Sequence, residues 1–274
     1  MKTMKLYFFV YLLVLPLFIN AQPSLTLLSR AYSEDQTERT ADKHFYDLFE
    51  KVLNSKFEID TQWTNHARMI KYLSSTQPVC TYNIIKTRQR EKLFFFSKAP
   101  TTMFVQRRLY GFKETLKGLP DKVSVSKLLA DNKTFGIVAS TSYQELDNMF
   151  SLYQHQIASI SSTNSFAQLG QLLAHRRIDM IIDYDYTVRT FLSAEQYEQL
   201  DSREIIEYPE FINGYFACSR TIEGKKAISL INSYMQTNDM YNFLKKIHYQ
   251  TFGPDIAERM MRIYKSDYQI SSDI

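Results

Sequence analysis

Apolar patterns typical of strands and of helices alternate along this chain, and this alternation restricts the possible folds more than any other feature. Strand-like apolar runs occur early in the sequence at 25–28, 57–60 and 78–85. The first intervening segment has apolar residues at helical spacing, namely Phe45, Leu48, Phe49 and Val52. The second begins after Asn65, a residue type that favours helix N-caps, and has a similar pattern. This order predicts an α/β unit with a largely parallel sheet.

A second series of the same kind begins near residue 135 and ends near residue 208. Its strand-like runs are 135–138, 155–160 and 178–182. We interpret the segment from 106 through Gly111 to Pro120 as a polar connection between the two series. Further strand-like stretches and three helical segments close the chain after residue 203.

The two series predict an α/β fold with two discontinuous lobes joined by a hinge. We expect lobe 1 to contain residues 22–105 and 209–274, and lobe 2 to contain residues 106–208. Open α/β sheets bind ligands beyond the carboxyl ends of their strands, so we expect a ligand cleft between the lobes. In the helix predicted after 135–138, Ser142 and Glu145 have the spacing of a capping box.

Residues 1–21 have the pattern of a cleavable secretory signal peptide. Lys2 and Lys5 precede an apolar stretch at 6–19, and Ala21 offers a cleavage site. The apolar stretch is shorter than the ~20 residues that a spanning helix needs. We therefore expect a mature protein that is soluble and periplasmic.

Charge and motif content exclude several functional classes. The formal charge of +4 falls close to neutral without Lys2 and Lys5, which argues against a nucleic-acid partner. The five histidines show no metal-ligand spacing, so we expect no metal. The sequence also lacks Gly-x-Ser-x-Gly, His-Glu-x-x-His and phosphate-loop motifs. We therefore expect a protein that is not an enzyme and that carries no cofactor.

The chain has two cysteines, Cys80 and Cys218. In an oxidising compartment an even pair favours a disulfide. The alternative is two buried free thiols in strands, and the sequence leaves both open.

A basic segment lies between two apolar stretches that we interpret as strands, at 83–85 and 93–96. It contains Arg88, Arg90 and Lys92 close to Thr87. Arginine suits a carboxylate ligand because its planar fork donates two parallel hydrogen bonds. The alternative is a solvated basic turn.

The residues of this segment match a known register. Thr87, Arg90, Phe96, Ser97 and Pro100 follow the Thr-x-x-Arg pattern, with Phe-Ser and Pro downstream, of the polar-amino-acid class (family three) of extracellular solute-binding proteins. Segments 136–142 and 177–183 are similar to that family's second-lobe turn and to its strand leading to an acidic cleft residue. The chain thus resembles proteins with the type II periplasmic binding fold.

A finer resemblance is to an uncharacterised proteobacterial subgroup of this family. In that subgroup one cysteine precedes Lys-Thr-x-x-Arg-Glu and a second precedes a helix that begins with glycine. Cys80, the segment 86–91 and Cys218 fit this pattern.

The resemblance implies a set of ligand-binding residues. Arg90, with Thr87 nearby, would bind a ligand carboxylate, and Asp183 would meet an ammonium group. Thr141 and Ser142, at a helix start with free N–H groups, would take the same anion from the opposite lobe. Tyr32 would cover the ligand, and Tyr184 follows the acidic residue. Arg88 and Lys92 fall outside the register and are expected to be solvated.

The implied function is that of a monomeric periplasmic solute-binding protein. Its two lobes would close by a hinge motion over a small anionic or zwitterionic, amino-acid-like solute. An ABC transporter in the inner membrane or a sensor would be its partner. Two alternatives stay open. One is a small dehydratase-like periplasmic enzyme that uses Asp183 or Glu34 as general acid or base. The other is an orphan sensor lobe without a small ligand.

Overall fold

The structure is a computed structural model that describes residues 22–30, 40–162 and 164–271. The predicted signal peptide, residues 1–21, and Tyr32 and Glu34 lie outside the described residues. In the described part of the chain, no helix is both long enough and apolar enough to cross a membrane.

The described residues form strands and helices in alternation. The strands are β1 (Ser24–Arg30), β2 (Glu58–Thr64), β3 (Val79–Ile85), β4 (Phe94–Phe96), β5 (Thr102–Val105), β6 (Arg108–Phe112), β7 (Lys122–Val123), β8 (Phe135–Val138), β9 (Ile157–Ile160), β10 (Met180–Asp183), β11 (Leu200–Ile205) and β12 (Phe211–Ser219). The helices are α1 (Thr40–Leu53), α2 (His66–Leu73), α3 (Arg88–Leu93), α4 (Lys113–Leu116), α5 (Val125–Ala130), α6 (Asp147–Leu152), α7 (Ser165–Ala174), α8 (Asp185–Phe191), α9 (Ala194–Glu198), α10 (Ile222–Met235), α11 (Asn238–Phe252) and α12 (Pro254–Tyr268). Two short 3₁₀ turns lie at Gln144–Leu146 and Gln154–Gln156.

The strands are divided between two sheets, one in each lobe. In the first sheet the order is β2-β1-β3-β12-β4, and β5 also pairs with β12. Strands β1, β2 and β3 are parallel, whereas β12 runs antiparallel to β3, β4 and β5. The second sheet has the order β7-β11-β6-β10-β8-β9. There β6 runs antiparallel to both β10 and β11. Both sheets are therefore mixed, because each contains a strand that arrives directly from the other lobe.

The chain passes between the sheets twice, at 106–107 after β5 and at 206–210 before β12. The two passages lie side by side, because the backbone N–H of Gln106 donates to the carbonyl of Glu210 at 3.1 Å. Immediately beyond them, Val105 pairs with Phe211. Two adjacent, hydrogen-bonded segments therefore connect the lobes.

The predicted polar connection from 106 through Gly111 is wrong, because β6 lies in the interior of the second sheet. Leu109, Tyr110 and Phe112 are buried, and β6 has hydrogen-bonded neighbours on both sides. The charged residues before it and the glycine within it conceal the strand in the sequence.

The helices predicted for the first lobe are confirmed. Helix α1 buries Phe45 and Phe49 in the main core of this lobe. Helix α2 begins at the cap expected from the sequence, since the Asn65 side chain accepts a hydrogen bond from the backbone N–H of Arg68 at 2.8 Å.

The basic segment after β3 is a helix and not a turn. Helix α3 spans Arg88–Leu93, and Thr87 caps it by accepting from the backbone N–H of Arg90 at 3.2 Å. Leu93, which we expected in a buried strand, ends this helix and is 43% exposed. Arg88 and Lys92 are exposed as expected. The hydroxyl cap explains the difference, because it satisfies a backbone donor that a turn would leave open.

Cys80 and Cys218 form a disulfide between β3 and β12. They face each other in the register of these two antiparallel strands and are fully buried. The bond closes a loop with a sequence separation of 138. It therefore joins two strands that are far apart in the sequence. Of the two alternatives that the sequence left open, the disulfide is the one that the structure contains.

We predict that loss of this disulfide lowers the free energy of unfolding by up to about 5 kcal/mol on the chain-entropy model. The measurement is urea unfolding of the protein with and without dithiothreitol. In the C80A/C218A variant the reductant should make no difference. Equal midpoints for the oxidised and reduced forms of the natural sequence would contradict the prediction.

His248 is buried between α11 and α12, with 2% of its surface exposed. Its ring stacks on Tyr264 at a centroid distance of 5.7 Å, and Nε2 lies 3.4 Å from the Tyr264 hydroxyl oxygen. Burial lowers the pKa of His248 to about 4, because a charged imidazolium loses its hydration there. The imidazole is therefore neutral in the folded protein at pH 7.

We predict that acidification destabilises the fold through His248. Between its unfolded pKa of about 6.5 and its folded pKa of about 4, the unfolded chain binds a proton that the folded chain does not. The free energy of unfolding should therefore fall by roughly 3 kcal/mol over this interval.

The measurement is the free energy of unfolding in urea at a series of pH values, for the natural sequence and for His248→Leu. The difference between the two proteins removes the contribution of carboxylates that titrate in the same range, because both proteins contain them. His44→Gln is the control, because His44 is exposed on α1. Parallel pH profiles for the natural sequence and His248→Leu would refute the prediction.

Candidate functional site

A cavity lies between the two lobes, beyond the carboxyl ends of β3, β8 and β10. Its volume is about 50 Å³, measured as the space open to the centre of a water molecule. Lobe 1 contributes His66, Asn83, Ile85, Arg90 and Ile212. Lobe 2 contributes Thr141, Ser142, Tyr143, Phe166, Asp183, Tyr184, Tyr186 and Thr187, and Arg107 lines the cavity from the first passage between the lobes. The cavity therefore lies where the strand order predicts a ligand site.

Arg90 connects the two lobes. Its Nη1 donates to the carbonyl of Ile85 at 3.0 Å within lobe 1, and its Nη2 donates to the carbonyl of Ser140 in lobe 2 at 2.7 Å. Thr87 serves as the cap of α3 and does not line the cavity. Helix α3 thus places the Arg90 guanidinium against the opposite lobe, whereas the Thr87 hydroxyl bonds to the backbone of the helix.

The Ser140 carbonyl accepts from a second lobe 1 side chain, because His66 Nε2 lies 3.1 Å from it. A carbonyl only accepts, so we assign the proton of this contact to Nε2. Ser140 has a φ of 60°, which places it in the left-handed region. Two lobe 1 side chains therefore converge on one exposed carbonyl of lobe 2 and connect the two lobes across the cavity.

The turn after β8 does not form the expected capping box. The Ser142 hydroxyl donates to Asp147 Oδ2 at 2.7 Å, and the N–H of Tyr143 donates to Asp147 Oδ1 at 2.6 Å. Ser142 Oγ also accepts from the N–H of Gln144 at 3.1 Å, where a 3₁₀ turn begins. An internal carboxylate, and not Glu145, therefore satisfies this helix start. It occupies donors that the sequence had suggested for a ligand anion.

Asp183 ends β10 at the cavity wall and is 7% exposed. Its Oδ1 accepts from the N–H of Tyr184 at 2.7 Å. The ring of Tyr184 stacks on Tyr186 at 5.5 Å and contacts Phe104 of lobe 1 at 5.4 Å. A carboxylate and an aromatic wall thus lie together in lobe 2.

Arg107 is a cavity residue that the sequence did not reveal. It is 7% exposed, and its Nη1 donates to the Ser142 carbonyl at 2.9 Å. Its guanidinium carbon lies 4.9 Å from the ring centre of Tyr143 and 5.1 Å from that of Tyr184. Burial acts to lower the pKa of Arg107, but neighbouring tyrosines and Asp183 raise it above its usual value. The side chain therefore stays charged.

No local signal distinguishes Arg107 from its neighbour Arg108. Arg108 Nε donates to Ser202 Oγ at 3.0 Å, and its Nη1 lies 3.5 Å from Glu204 Oε1. Adjacent residues of an extended chain point to opposite sides. One arginine therefore enters the cavity, and the other pairs across the second sheet.

The structure brings most of the expected residues together. Arg90, Thr141, Ser142, Asp183 and Tyr184 line one cavity, whereas the expected contact of Tyr32 lies outside the described residues. Within 22–30, 40–162 and 164–271, no group of three or more His, Cys, Asp or Glu side chains is placed to hold a metal ion.

The fold is that of the periplasmic binding proteins. Similar solved structures include an ancestral arginine-binding protein bound to glutamine, 15% identical with a TM-score of 0.62, where the match covers 85% of this chain and 99% of that one. The substrate-binding protein of an amino acid ABC transporter is 12% identical, with a TM-score of 0.62 and coverage of 85% and 100%. A histidine kinase sensor domain with similarity to periplasmic binding proteins is 10% identical, with a TM-score of 0.59 and coverage of 81% and 95%. No protein-family model and no curated protein matches the sequence. The predicted two-lobed type II architecture is confirmed.

We predict that Arg90→Met shifts the ligand-free protein toward an open conformation. A hydrogen bond from a charged donor contributes roughly 1.5–3 kcal/mol, and the bond from Arg90 to the Ser140 carbonyl crosses between the lobes. The closed-to-open ratio should therefore fall roughly 10- to 100-fold. Small-angle X-ray scattering should show a larger radius of gyration.

The matched control is Arg88→Met, because Arg88 lies on the same helix and is exposed. It should leave the scattering unchanged. If the Arg90 and Arg88 variants scatter alike, Arg90 does not hold the lobes together.

Proposed function

We propose that this chain is a solute-binding protein whose lobes close over a small anionic or zwitterionic, amino-acid-like solute. The observation that carries the proposal is the interlobe cavity, which combines Arg90, Arg107 and Asp183 with aromatic walls. Hydrogen bonds from Arg90 and His66 to the Ser140 carbonyl hold the lobes around it. A closed cavity with charges of both signs suits a small ligand that carries both.

Polar groups without described partners add to this chemistry. The hydroxyls of Thr141 and Thr187 line the cavity and make no hydrogen bond with a described residue. The Asn83 side chain accepts from Thr102 through Oδ1 at 3.1 Å, which leaves its NH₂ group as a donor. We propose that these groups orient the solute, with Arg90 on its carboxylate and Asp183 on its ammonium.

The proposed class is the polar-amino-acid family, and the proposed subgroup is the proteobacterial one named above. The register of Thr87, Arg90, Phe96, Ser97 and Pro100 supports the family, and the disulfide between Cys80 and Cys218 supports the subgroup. Neighbours that bind amino acids or serve an amino acid ABC transporter support the ligand class and a transporter partner, while the sensor-domain neighbour supports a sensing role.

The cellular setting belongs to the same proposal. We propose export through residues 1–21, a periplasmic location and a monomeric state. We also propose that lobe 1 comprises 22–105 and 209–274 and that lobe 2 comprises 106–208. The positions of the two passages, at 106–107 and 206–210, support this division.

The test is a thermal-shift screen of residues 22–274 against amino acids and small carboxylates. A ligand at 100 times its Kd should stabilise the fold by about 2.7 kcal/mol, and scattering should then show the closed state. Recovery of the ligand unchanged supports binding, whereas conversion supports the dehydratase-like alternative with Asp183 or Glu34 as acid or base. If no compound of the library binds, the solute-binding proposal fails and the orphan sensor lobe gains support.

A further inference from the structure

Arg107 has hydrogen-bonding capacity that its surroundings leave unused. A guanidinium has five N–H donors; Arg107 donates to the Ser142 carbonyl, and the Tyr208 hydroxyl lies close enough to be a second acceptor. Its remaining nitrogens are not among the buried polar atoms that lack a partner, and the side chain lines the cavity. These donors are therefore available to a ligand.

Arg107 also lacks a paired carboxylate among the described residues. Asp183 is near enough to act on it electrostatically. The rings of Tyr143 and Tyr184 lie against the guanidinium. These neighbours stabilise the cation without supplying a directly paired carboxylate, so an anionic ligand group next to Arg107 would add a charge-assisted hydrogen bond.

The positions of the two cavity arginines suit one small ligand. Arg90 and Arg107 donate to the carbonyls of Ser140 and Ser142, which are two residues apart on the same turn. Two residues of chain span at most about 7 Å, so both guanidinium groups lie against one short turn. The Asp183 carboxylate lines the same cavity.

We propose that Arg107 binds an acidic side group of the ligand, so that the cavity selects amino acids with a carboxylate side chain, or dicarboxylates, over their neutral amides. This inference rests on the proposed solute-binding function and names its ligand class. Arg107 is then the specificity-determining residue, and it acts from the passage between the lobes, where ligand binding and lobe closure are directly connected.

The test compares isosteric probes by isothermal titration calorimetry: L-glutamate with L-glutamine, and L-aspartate with L-asparagine, with 2-oxoglutarate as a dicarboxylate without an amino group. The natural sequence should bind at least one acid roughly 10- to 100-fold more tightly than its amide, because a charge-assisted hydrogen bond is lost with the amide. Arg107→Met should abolish this preference. Arg108→Met should keep it, because Arg108 pairs with Ser202 and Glu204 away from the cavity.

Arg107→Lys is included in case the Met variant does not fold. It keeps the charge but not the planar fork, and should retain part of the preference for the acid. The ratio of the affinities for the acid and for its amide is measured on the natural sequence, so this part of the test does not depend on whether a variant folds. The inference is overturned if the amides bind as tightly as the acids, if none of the three acids binds, or if a folded Arg107→Met keeps the preference. Binding of neutral amino acids alone would overturn this inference and leave the solute-binding proposal intact, whereas no binding by any amino acid or carboxylate would overturn both.

Discussion

The rest of the structure depends on the pairing of strand β12, because this strand returns the chain from the second lobe to the interior of the first sheet. It pairs with β3, β4 and β5, and its Cys218 is bonded to Cys80. Gly214 allows the closest part of this pairing, since a side chain there would collide with Asn83 and Thr102. The return brings the two passages between the lobes side by side. The segments that connect the lobes, together with β12, consequently also contribute to the cavity wall, through Arg107 and Ile212.

The turn at 140–142 in lobe 2 positions several of the polar side chains that line the cavity. Carbonyls at Ser140 and Ser142 accept hydrogen bonds from Arg90, His66 and Arg107. The left-handed backbone at Ser140 and the Asp147 carboxylate at the following helix start shape this turn. The carbonyl dipoles of this turn orient the two guanidinium groups. The proposed binding of an anionic ligand group rests on Arg107, which lines the cavity beside this turn.

Much of the fold, but less of the site, could be predicted from the sequence. Helices α1 and α2 and strand β8 followed from apolar spacing and a cap at Asn65. Strand β6 was missed because Arg107, Arg108 and Gly111 gave it a polar character. Helix α3 was missed because six residues are too few for a periodic pattern. The residue-by-residue binding roles at Arg90, Thr141, Ser142, Asp183 and Tyr184 remain proposals, although these side chains line the same cavity.

By itself, the sequence determined the alternation of strands and helices, the amphipathic faces of the helices and the Thr87 to Arg90 register. These depend on residues a few positions apart, whose spacing is visible along the chain. Only the tertiary structure decided that Cys80 meets Cys218, that Arg90 reaches Ser140, and that Arg107 is buried while Arg108 is not. These depend on partners far away in the sequence. These contacts are determined by the order of the strands in the two sheets, and no local sequence pattern indicates that order.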